Sequence, residues 1–91
     1  MFENLEHLIE TIRERKNSSP NDMSYTNKLL KDKNFSVSKV KEEIGELIES
    51  VDKNTNKIHE AADVIYHLMV YLEANDIKIE DVMSELKKRQ K

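Results

Sequence analysis

The sequence contains no cysteine and no tryptophan, and it has only one glycine and one proline in 91 residues. The absence of cysteine excludes a disulfide framework and a thiolate zinc site, and it fits a cytoplasmic protein. The scarcity of glycine and proline removes the residues on which tight turns between strands depend. Charged residues make up 36% of the chain, with many Glu, Lys and Leu. This composition predicts an all-α fold.

The sequence also lacks a strong excess of either charge and any long hydrophobic run. Fifteen Lys and Arg against eighteen Asp and Glu give a net charge of −3, which provides no overall attraction for nucleic acid or a membrane surface. An anionic ligand must therefore be bound by a local group of bases. The longest apolar-rich run, residues 61–74, is interrupted by Asp63, His67 and Glu73 and is too short to span a bilayer. The acidic N-terminus does not resemble a signal peptide. We expect a soluble cytoplasmic protein.

The length predicts a single domain, residues 1–91, with a core small enough that oligomerisation would help to stabilise it. The polar segment 17–22, N-S-S-P-N-D, is the clearest break. Hydrophobic spacing and cap residues predict four to five helices. We expect one to end near Lys16 and the others to cover about 25–31, 36–53, 57–75 and 79–89, with Ser24 and Ser36 as N-caps.

The predicted third helix carries five acidic residues and no basic one between positions 42 and 52. At about 100° per residue, its apolar side chains share one arc and its acids lie on the opposite arc. By itself this pattern is typical of an amphipathic helix with a solvated acidic side. We expect Val37, Val40, Ile44, Leu47, Ile48 and Val51 to face the core, and Lys39, Glu42, Glu43, Glu46 and Glu49 to face water.

The predicted fourth helix is apolar around nearly its whole circumference. Eleven of the fourteen residues from 61 to 74 are apolar or Tyr. A helix of this kind must be covered on all sides, which a domain of this size cannot easily do alone. We therefore expect a homodimer or a higher homo-oligomer. Ala61, Ala62, Ile65, Leu68, Met69 and Leu72 form the expected core stripe, and Val64, Val70 and Tyr71 lie outside it, where a partner subunit would pack.

Two acidic patterns, E-E-x-x-E at 42–46 and E-x-x-D at 60–63, lie on helices that a short loop joins. Antiparallel packing of these helices would bring the carboxylates into one pocket. Glu42 and Glu46 lie one turn apart on one face, with Glu43 at its border. Carboxylate oxygens without a soft ligand suit Mg²⁺ or Mn²⁺, whereas zinc is disfavoured because the three His lack a suitable spacing. Two such ions about 4 Å apart would activate water and stabilise a leaving phosphate.

These patterns resemble a known enzyme group. E-E-x-x-E followed thirteen residues later by E-x-x-D is similar to the signature of the all-α nucleoside triphosphate pyrophosphohydrolases, which include MazG-type enzymes, dimeric dUTPases and phosphoribosyl-ATP pyrophosphatases. The chain most resembles the phosphoribosyl-ATP pyrophosphatase family, and the matches span nearly its whole length. They are S-Y-T at 24–26, K-V-x-E-E at 39–43, E-A-A-D-V-I-Y-H at 60–67 and I-x-x-E-D-V-x-x-x-L-x-x-R at 77–89.

The resemblance implies a MazG-like helical bundle that is completed by oligomerisation. It implies hydrolysis between the α and β phosphates of phosphoribosyl-ATP, which gives phosphoribosyl-AMP and pyrophosphate in the second step of histidine synthesis. The cofactor would be Mg²⁺, with Mn²⁺ also possible, and Glu43 and Glu46 are the candidate catalytic carboxylates. The expected metal ligands are Glu42, Glu43, Glu46, Glu60 and Asp63.

Seven further residues are candidates for roles around these acids, and each also has an ordinary structural interpretation. Lys39 forms either an intrahelical ion pair or a phosphate contact. Arg13 and Arg15 lie where the helix dipole favours cations, and they would also reach a triphosphate. The other candidates are Tyr25 and Thr26 as contacts to a base or a phosphate, His67 as a residue that bonds a carboxylate of the metal cluster, and Glu49 as a solvated acid or an aid in orienting water.

Two alternatives stay open on the sequence alone. The segment E-E-I-G-E-L departs from the wording usual in phosphoribosyl-ATP pyrophosphatases and is closer to MazG-type proteins, whose substrates are ordinary or damaged nucleoside triphosphates. An alternative of another class is a non-catalytic helical dimerisation module whose acids are solvated. Such a module would not place acids on a helix that must be covered on all sides.

Overall fold

The computed structural model describes residues 1–18 and 23–90 of the chain. It contains five helices, α1 (Glu3–Lys16), α2 (Tyr25–Lys31), α3 (Lys33–Lys53), α4 (Lys57–Ala74) and α5 (Ile79–Lys88). No strand occurs among these residues, so the all-α prediction is confirmed. The predicted break at 17–22 lies partly outside the described residues.

The beginnings of α2 and α3 show one correct and one wrong prediction of an N-cap. The Ser24 side chain accepts a hydrogen bond from the backbone N–H of Asn27, which confirms it as the cap of α2. The predicted cap Ser36 is wrong, because α3 begins earlier. The Asp32 carboxylate accepts a hydrogen bond from the Phe35 N–H at 3.0 Å. Asp and Ser are about equally good N-caps, and Ser36 lies buried inside the first turns of α3.

Helices α3 and α4 form an antiparallel hairpin that positions the candidate site. The turn between them contains Asn54 and Asn56 in the left-handed region, at φ 56° and 49°. Asn tolerates this conformation better than most residues, which explains why the N-T-N segment ends one helix and begins the next. Helices α1, α2 and α3 all pack on α4. The buried core is small and consists of Ile9, Ile12, Leu29, Met69 and Val70.

The face of α4 that is buried within the chain is not the one that was predicted. Val70, which we expected on the outside, has no exposed surface, whereas Ile65 and Leu68, expected in the core, are exposed. Of the expected stripe, only Met69 is buried. An all-round apolar helix offers no periodicity that selects one face, so the packing of α1, α2 and α3 makes the choice.

The orientation of α3 also differs from the prediction. Its buried residues are Ser36, Glu43 and Ser50, seven positions apart, and they face α4. The apolar side chains of Ile44, Ile48 and Val51, predicted for the core, are exposed, and Ile48 is 59% exposed. Helix α3 therefore turns the border between its apolar and acidic arcs toward α4. One consequence is a buried carboxylate, and the other is an uncovered apolar surface.

None of the residues of helix α5 is buried. The helix is attached through Ile79, which packs against the core, and through charged side chains. Arg13 donates hydrogen bonds from Nε to Glu73 at 2.7 Å and from its terminal nitrogens to both oxygens of Glu80 at 2.9 and 2.6 Å. Glu73 is buried at the end of α4, so Arg13 links three helices. Among the described residues, no helix combines the length and the apolar character needed to cross a membrane.

Candidate active site

The hairpin brings acids from both predicted patterns together. One carboxylate oxygen from each of Glu43, Glu46 and Glu60 lies within 4.8 Å of the others. A second group, with the same mutual limit, joins Glu60 to Asp63 and His59 on α4. Because Glu60 belongs to both groups, they form one continuous acid cluster between α3 and α4. We refer to Glu43, Glu46, Glu60 and Asp63 as the acid cluster.

The acid cluster contains two carboxylate oxygens that lack hydrogen-bond partners. Oε2 of Glu43 and Oε2 of Glu60 are both buried, and neither accepts a hydrogen bond. Burial first, and the neighbouring Glu46 carboxylate second, raise the pKa of Glu43. Burial and repulsion by Glu46 also raise the pKa of Glu60. Unpartnered buried charges of like sign are costly, so this arrangement favours a bound cation.

The chemistry of the acid cluster fits a hard divalent metal ion. Its four side chains offer carboxylate oxygens, the ligand type that Mg²⁺ and Mn²⁺ prefer. The two buried oxygens that lack partners belong to Glu43 on α3 and Glu60 on α4. A cation bound between these helices would offset their negative charge. The residues that would hold the ion are Glu43, Glu46, Glu60 and Asp63, drawn equally from α3 and α4.

Glu42, which was also predicted as a ligand, lies outside both groups of close oxygens. It accepts a hydrogen bond from Nζ of Lys39 at 2.7 Å and is largely exposed. Glu42 and Glu46 are both exposed, whereas Glu43 is buried, and it is Glu43 that joins Glu46 and Glu60 in a group of close oxygens. The hydrogen bond to Glu42 and the negative charge of nearby Glu43 raise the pKa of Lys39. The Lys39 ammonium group is therefore a positive charge next to the acid cluster.

Four aromatic or polar side chains meet where α2 packs on α4, namely Tyr25, Thr26, Tyr66 and His67. The His67 ring is buried, and it bonds the backbone carbonyl of Asp63 through Nδ1 and the Tyr25 hydroxyl through Nε2, both at 2.8 Å. The predicted bond from His67 to a metal-cluster carboxylate is thus replaced by one to a main-chain oxygen. The Thr26 hydroxyl bonds the hydroxyl of Tyr66, which joins α2 to α4. Tyr25 is close enough to Glu43 for the two groups to interact electrostatically, and the expected substrate contacts of Tyr25 and Thr26 stay predictions.

Comparison with known proteins identifies one family that matches nearly the whole chain. The family model described as PRA-PH, phosphoribosyl-ATP pyrophosphohydrolase, matches residues 5–90. The chain belongs to this family. A phosphoribosyl-ATP pyrophosphatase of Clostridium novyi is 42% identical over 91 residues, covering 96% of this chain and 81% of the relative. One of Halobacterium salinarum is 38% identical over 95 residues, covering 98% and 99%. The histidine biosynthesis bifunctional protein HisIE of Pyrococcus furiosus is 39% identical over 84 residues, covering 91% of this chain and 40% of that protein.

Membership of the family does not bring every predicted residue to the acid cluster. Arg13 is held at the far end of α4 by Glu73 and Glu80. Glu73 follows Asp63 by 10 residues and Glu60 by 13, so Arg13 is about three helical turns away from the acid cluster. Arg15 is exposed near the end of the same helix, α1. Glu49 is exposed and forms an ion pair with Lys53 one turn along α3. This pairing supports the surface interpretation of Glu49.

The residue that sequence reasoning missed is His59. Its Nε2 atom lies 3.3 Å from the Asp63 carboxylate, and its ring belongs to the second group of close ligand atoms. The spacing from His59 to Asp63 is four residues, which places both on one helical face. A search for mixed His and acid spacings, rather than for two His, would have found it.

Proposed function

We propose that this protein catalyses the Mg²⁺-dependent hydrolysis of phosphoribosyl-ATP to phosphoribosyl-AMP and pyrophosphate in histidine biosynthesis. The observation that carries the proposal is the acid cluster, in which Glu43 and Glu60 bury unpartnered oxygens from two helices at close range. A solvated surface would leave these oxygens in contact with water. Phosphoribosyl-ATP pyrophosphatase is the name carried by relatives that align with nearly the whole chain.

The proposed reaction is the attack of water on phosphorus, with rupture of the α–β anhydride bond and departure of pyrophosphate. When bound, Mg²⁺ would offset the charge on the phosphate oxygens and make water easier to deprotonate. Glu46 is the exposed member of the cluster contributed by α3, so its carboxylate is the one that water and substrate reach most easily. We propose that Glu46 accepts the proton from the attacking water. Glu43, whose carboxylate is buried, would hold the positive charge of the bound metal ion.

Lys39 is the proposed cationic contact for the substrate. Its side chain is 24% exposed and hydrogen-bonded to Glu42, and its ammonium group is close enough to Tyr25 and Glu43 to interact with them electrostatically. A phosphate oxygen that replaced the Glu42 carboxylate would meet an already positioned donor. Arg13 does not take part in this arrangement, because it already binds two carboxylates elsewhere. The expected substrate contact of Arg15 stays a prediction.

The apolar surface of the hairpin supports the proposal of a homodimer. Its exposed side chains on α3 are Ile44, Ile48 and Val51, and those on α4 include Ile58 and Ile65. Exposed apolar patches of this kind commonly mark protein interfaces. A second copy of the hairpin would cover this surface on the side of α4 that α1 and α2 leave open. The cytoplasmic location stays a prediction from the sequence.

An assay of pyrophosphate release with Mg²⁺ and phosphoribosyl-ATP tests the proposed function. Turnover that is abolished by Glu43→Ala and by removal of the metal is expected. Faster hydrolysis of ordinary or modified nucleoside triphosphates under the same conditions would instead assign the chain to nucleotide-pool cleansing. Absence of turnover above the Glu43→Ala level with either substrate class would reject an enzymatic role.

A further inference from the structure

The segment H-E-A-A-D, residues 59–63, brings one nitrogen and two oxygen ligands together on α4. His59, Glu60 and Asp63 each offer one atom, and these three atoms lie within 4.8 Å of one another. His59 and Asp63 are four residues apart, which is the spacing at which the two His of the H-E-x-x-H motif bind one ion on a helix. Asp63 stands where that motif has its second His, so the segment has the arrangement of a three-ligand metal site.

The distance between His59 and Asp63 suits two ligands of one metal ion. Nε2 of His59 lies 3.3 Å from Oδ2 of Asp63, which is just beyond the usual range of about 2.7–3.2 Å for an N–H···O hydrogen bond. Adjacent ligands of an octahedral ion lie about 3 Å apart when the bonds to the ion are about 2.1 Å long. A small ion would therefore bind both atoms with little movement of either side chain.

The buried oxygens of the acid cluster provide a separate reason for a cation beside His59. Glu43 is only 7% exposed, and its Oε2 atom accepts no hydrogen bond. Oε2 of Glu60 is also buried without a partner, and Glu60 joins the group of Glu43 and Glu46 to the group of His59 and Asp63. The His59 side chain is 72% exposed, so its ring lies on the solvent side of the cluster, where an ion would enter.

His59 differs from the members of the acid cluster in the kind of ligand atom that it offers. Carboxylate oxygens suit Mg²⁺, whereas imidazole nitrogen suits transition-metal ions. The ring of His67 does not supply such a ligand, because its two nitrogens are already bonded to the Asp63 carbonyl and the Tyr25 hydroxyl. A nitrogen ligand at this edge of the cluster would therefore come from His59.

We propose that His59 is a metal ligand and that His59, Glu60 and Asp63 together bind a divalent transition-metal ion in preference to Mg²⁺. The group of Glu43, Glu46 and Glu60, which offers oxygen atoms alone, keeps its preference for Mg²⁺. Glu60 contributes to both groups. The proposal rests on the proposed function, because it takes the acid cluster as the metal site of the enzyme, and it adds a metal preference that the acids alone do not predict.

Calorimetric binding of Co²⁺ and of Mg²⁺ to the full chain, without substrate, tests the role of His59. His59→Ala is expected to weaken Co²⁺ binding about tenfold or more, since even the outer partners of metal ligands account for losses of about 10- to 100-fold. Mg²⁺ affinity is expected to change less than about threefold, a ratio below that range. His7→Ala, which removes an exposed ring on α1, is the matched control and is expected to change neither affinity. Unchanged Co²⁺ affinity in His59→Ala, or equal losses for the two ions, would overturn the proposal.

X-ray absorption at the cobalt edge identifies the ligand directly in the Co²⁺-loaded chain. An imidazole bound to cobalt adds scattering from its ring carbons, which carboxylates and water do not produce. This scattering is expected in the wild type and in His7→Ala, and it is expected to disappear in His59→Ala. A wild-type spectrum that contains oxygen ligands alone would overturn the proposal.

Both measurements are made without substrate, so the metal preference and the proposed function can fail separately. A chain that binds Co²⁺ through His59 but releases no pyrophosphate from phosphoribosyl-ATP would count against the proposed function alone. Mg²⁺-dependent release of pyrophosphate, together with the same Co²⁺ affinity in His59→Ala and wild type, would overturn the role of His59 and leave the proposed function standing.

Discussion

Glu43 and Glu60 come from different helices, and each buries one carboxylate oxygen that accepts no hydrogen bond, while both lie with Glu46 in a group of ligand oxygens within 4.8 Å of one another. Such an arrangement destabilises the folded chain unless a cation or a proton offsets the charge. Function and stability therefore oppose each other at these two residues.

Replacement of Glu43 by Gln is expected to separate the two effects. The variant keeps the side-chain shape but removes a buried charge whose pKa is raised by burial and by Glu46. We expect the metal-free protein to gain on the order of 1 kcal/mol in free energy of unfolding, and the rate of pyrophosphate release to fall about 100-fold or more. Urea denaturation and the pyrophosphate assay measure the two. Glu14→Gln, on the exposed side of α1, is the control. Equal activity in Glu43→Gln and wild type would contradict the site.

The raised pKa values of Glu43 and Glu60 predict how metal binding depends on pH. A carboxyl group with a raised pKa holds its proton to higher pH, so Mg²⁺ must displace it. We expect Mg²⁺ affinity to fall as the pH is lowered and to begin falling above the ordinary range for Glu. Calorimetry in buffers of different ionisation enthalpy is expected to show proton release on binding. Binding that is independent of pH between 8 and 5 would exclude these carboxylates as ligands.

Glu42 and Glu46 are expected to differ in metal binding although both belong to E-E-x-x-E. Glu46 lies in the acid cluster, whereas Glu42 pairs with Lys39 outside it. Glu46→Gln is expected to weaken Mg²⁺ binding at least tenfold, since outer partners alone account for losses of about 10- to 100-fold. Glu42→Gln is expected to change Mg²⁺ affinity less than threefold, a ratio below that range. Equal losses in the two variants would restore Glu42 as a ligand.

The Arg13–Glu80 pair predicts a loss of stability in acid. Hydrogen bonds from Arg13 lower the pKa of Glu80 to about 2. Because the folded-state value lies below the ordinary one, the pair stabilises the fold above about pH 4.5, and this contribution is lost as the pH falls toward 2. Glu80→Gln is expected to be less stable than wild type at pH 7 and to converge with it near pH 2. The effect will be small, since Glu80 is exposed.

Denaturation curves at several pH values measure this convergence. The control is Glu85→Gln, which removes an acid on the same helix whose contact with Arg89 is longer, at 3.3 Å. A stability difference between Glu80→Gln and wild type that stays constant down to pH 2 would show that the ion pair is not its source.

The exposed apolar surface of the hairpin predicts an assembly that a single charge disrupts. Ile48→Glu or Ile65→Glu is expected to convert a dimer to a monomer in sedimentation experiments, because the interface would bury an unpaired carboxylate. Met83→Glu, at an exposed apolar position on α5, is the control and is expected to leave the dimer intact. A wild-type chain that sediments as a stable monomer would contradict the predicted oligomer.

The amino-acid sequence by itself determined the helices and the identity of the acids. Ser24, the N-T-N turn and the hydrophobic spacing placed the helices to within a few residues, because caps and periodicity are local properties. Only the Ser36 cap failed, since Asp32, four residues earlier in the chain, offers an equally good local cap. The spacing of E-x-x-E and E-x-x-D likewise identified four carboxylates that the hairpin brings together.

Only the tertiary structure decided which side of each helix faces inward. The packing of α1, α2 and α3 on α4 buries Val70 and exposes Ile65, and it turns Glu43 into the hairpin instead of toward water. The same packing sets His67 between the Asp63 carbonyl and Tyr25, and removes Arg13 to an ion-pair network at the other end of α4. Periodicity fixes angles within one helix, but the rotation of one helix against another depends on contacts between residues far apart in the chain.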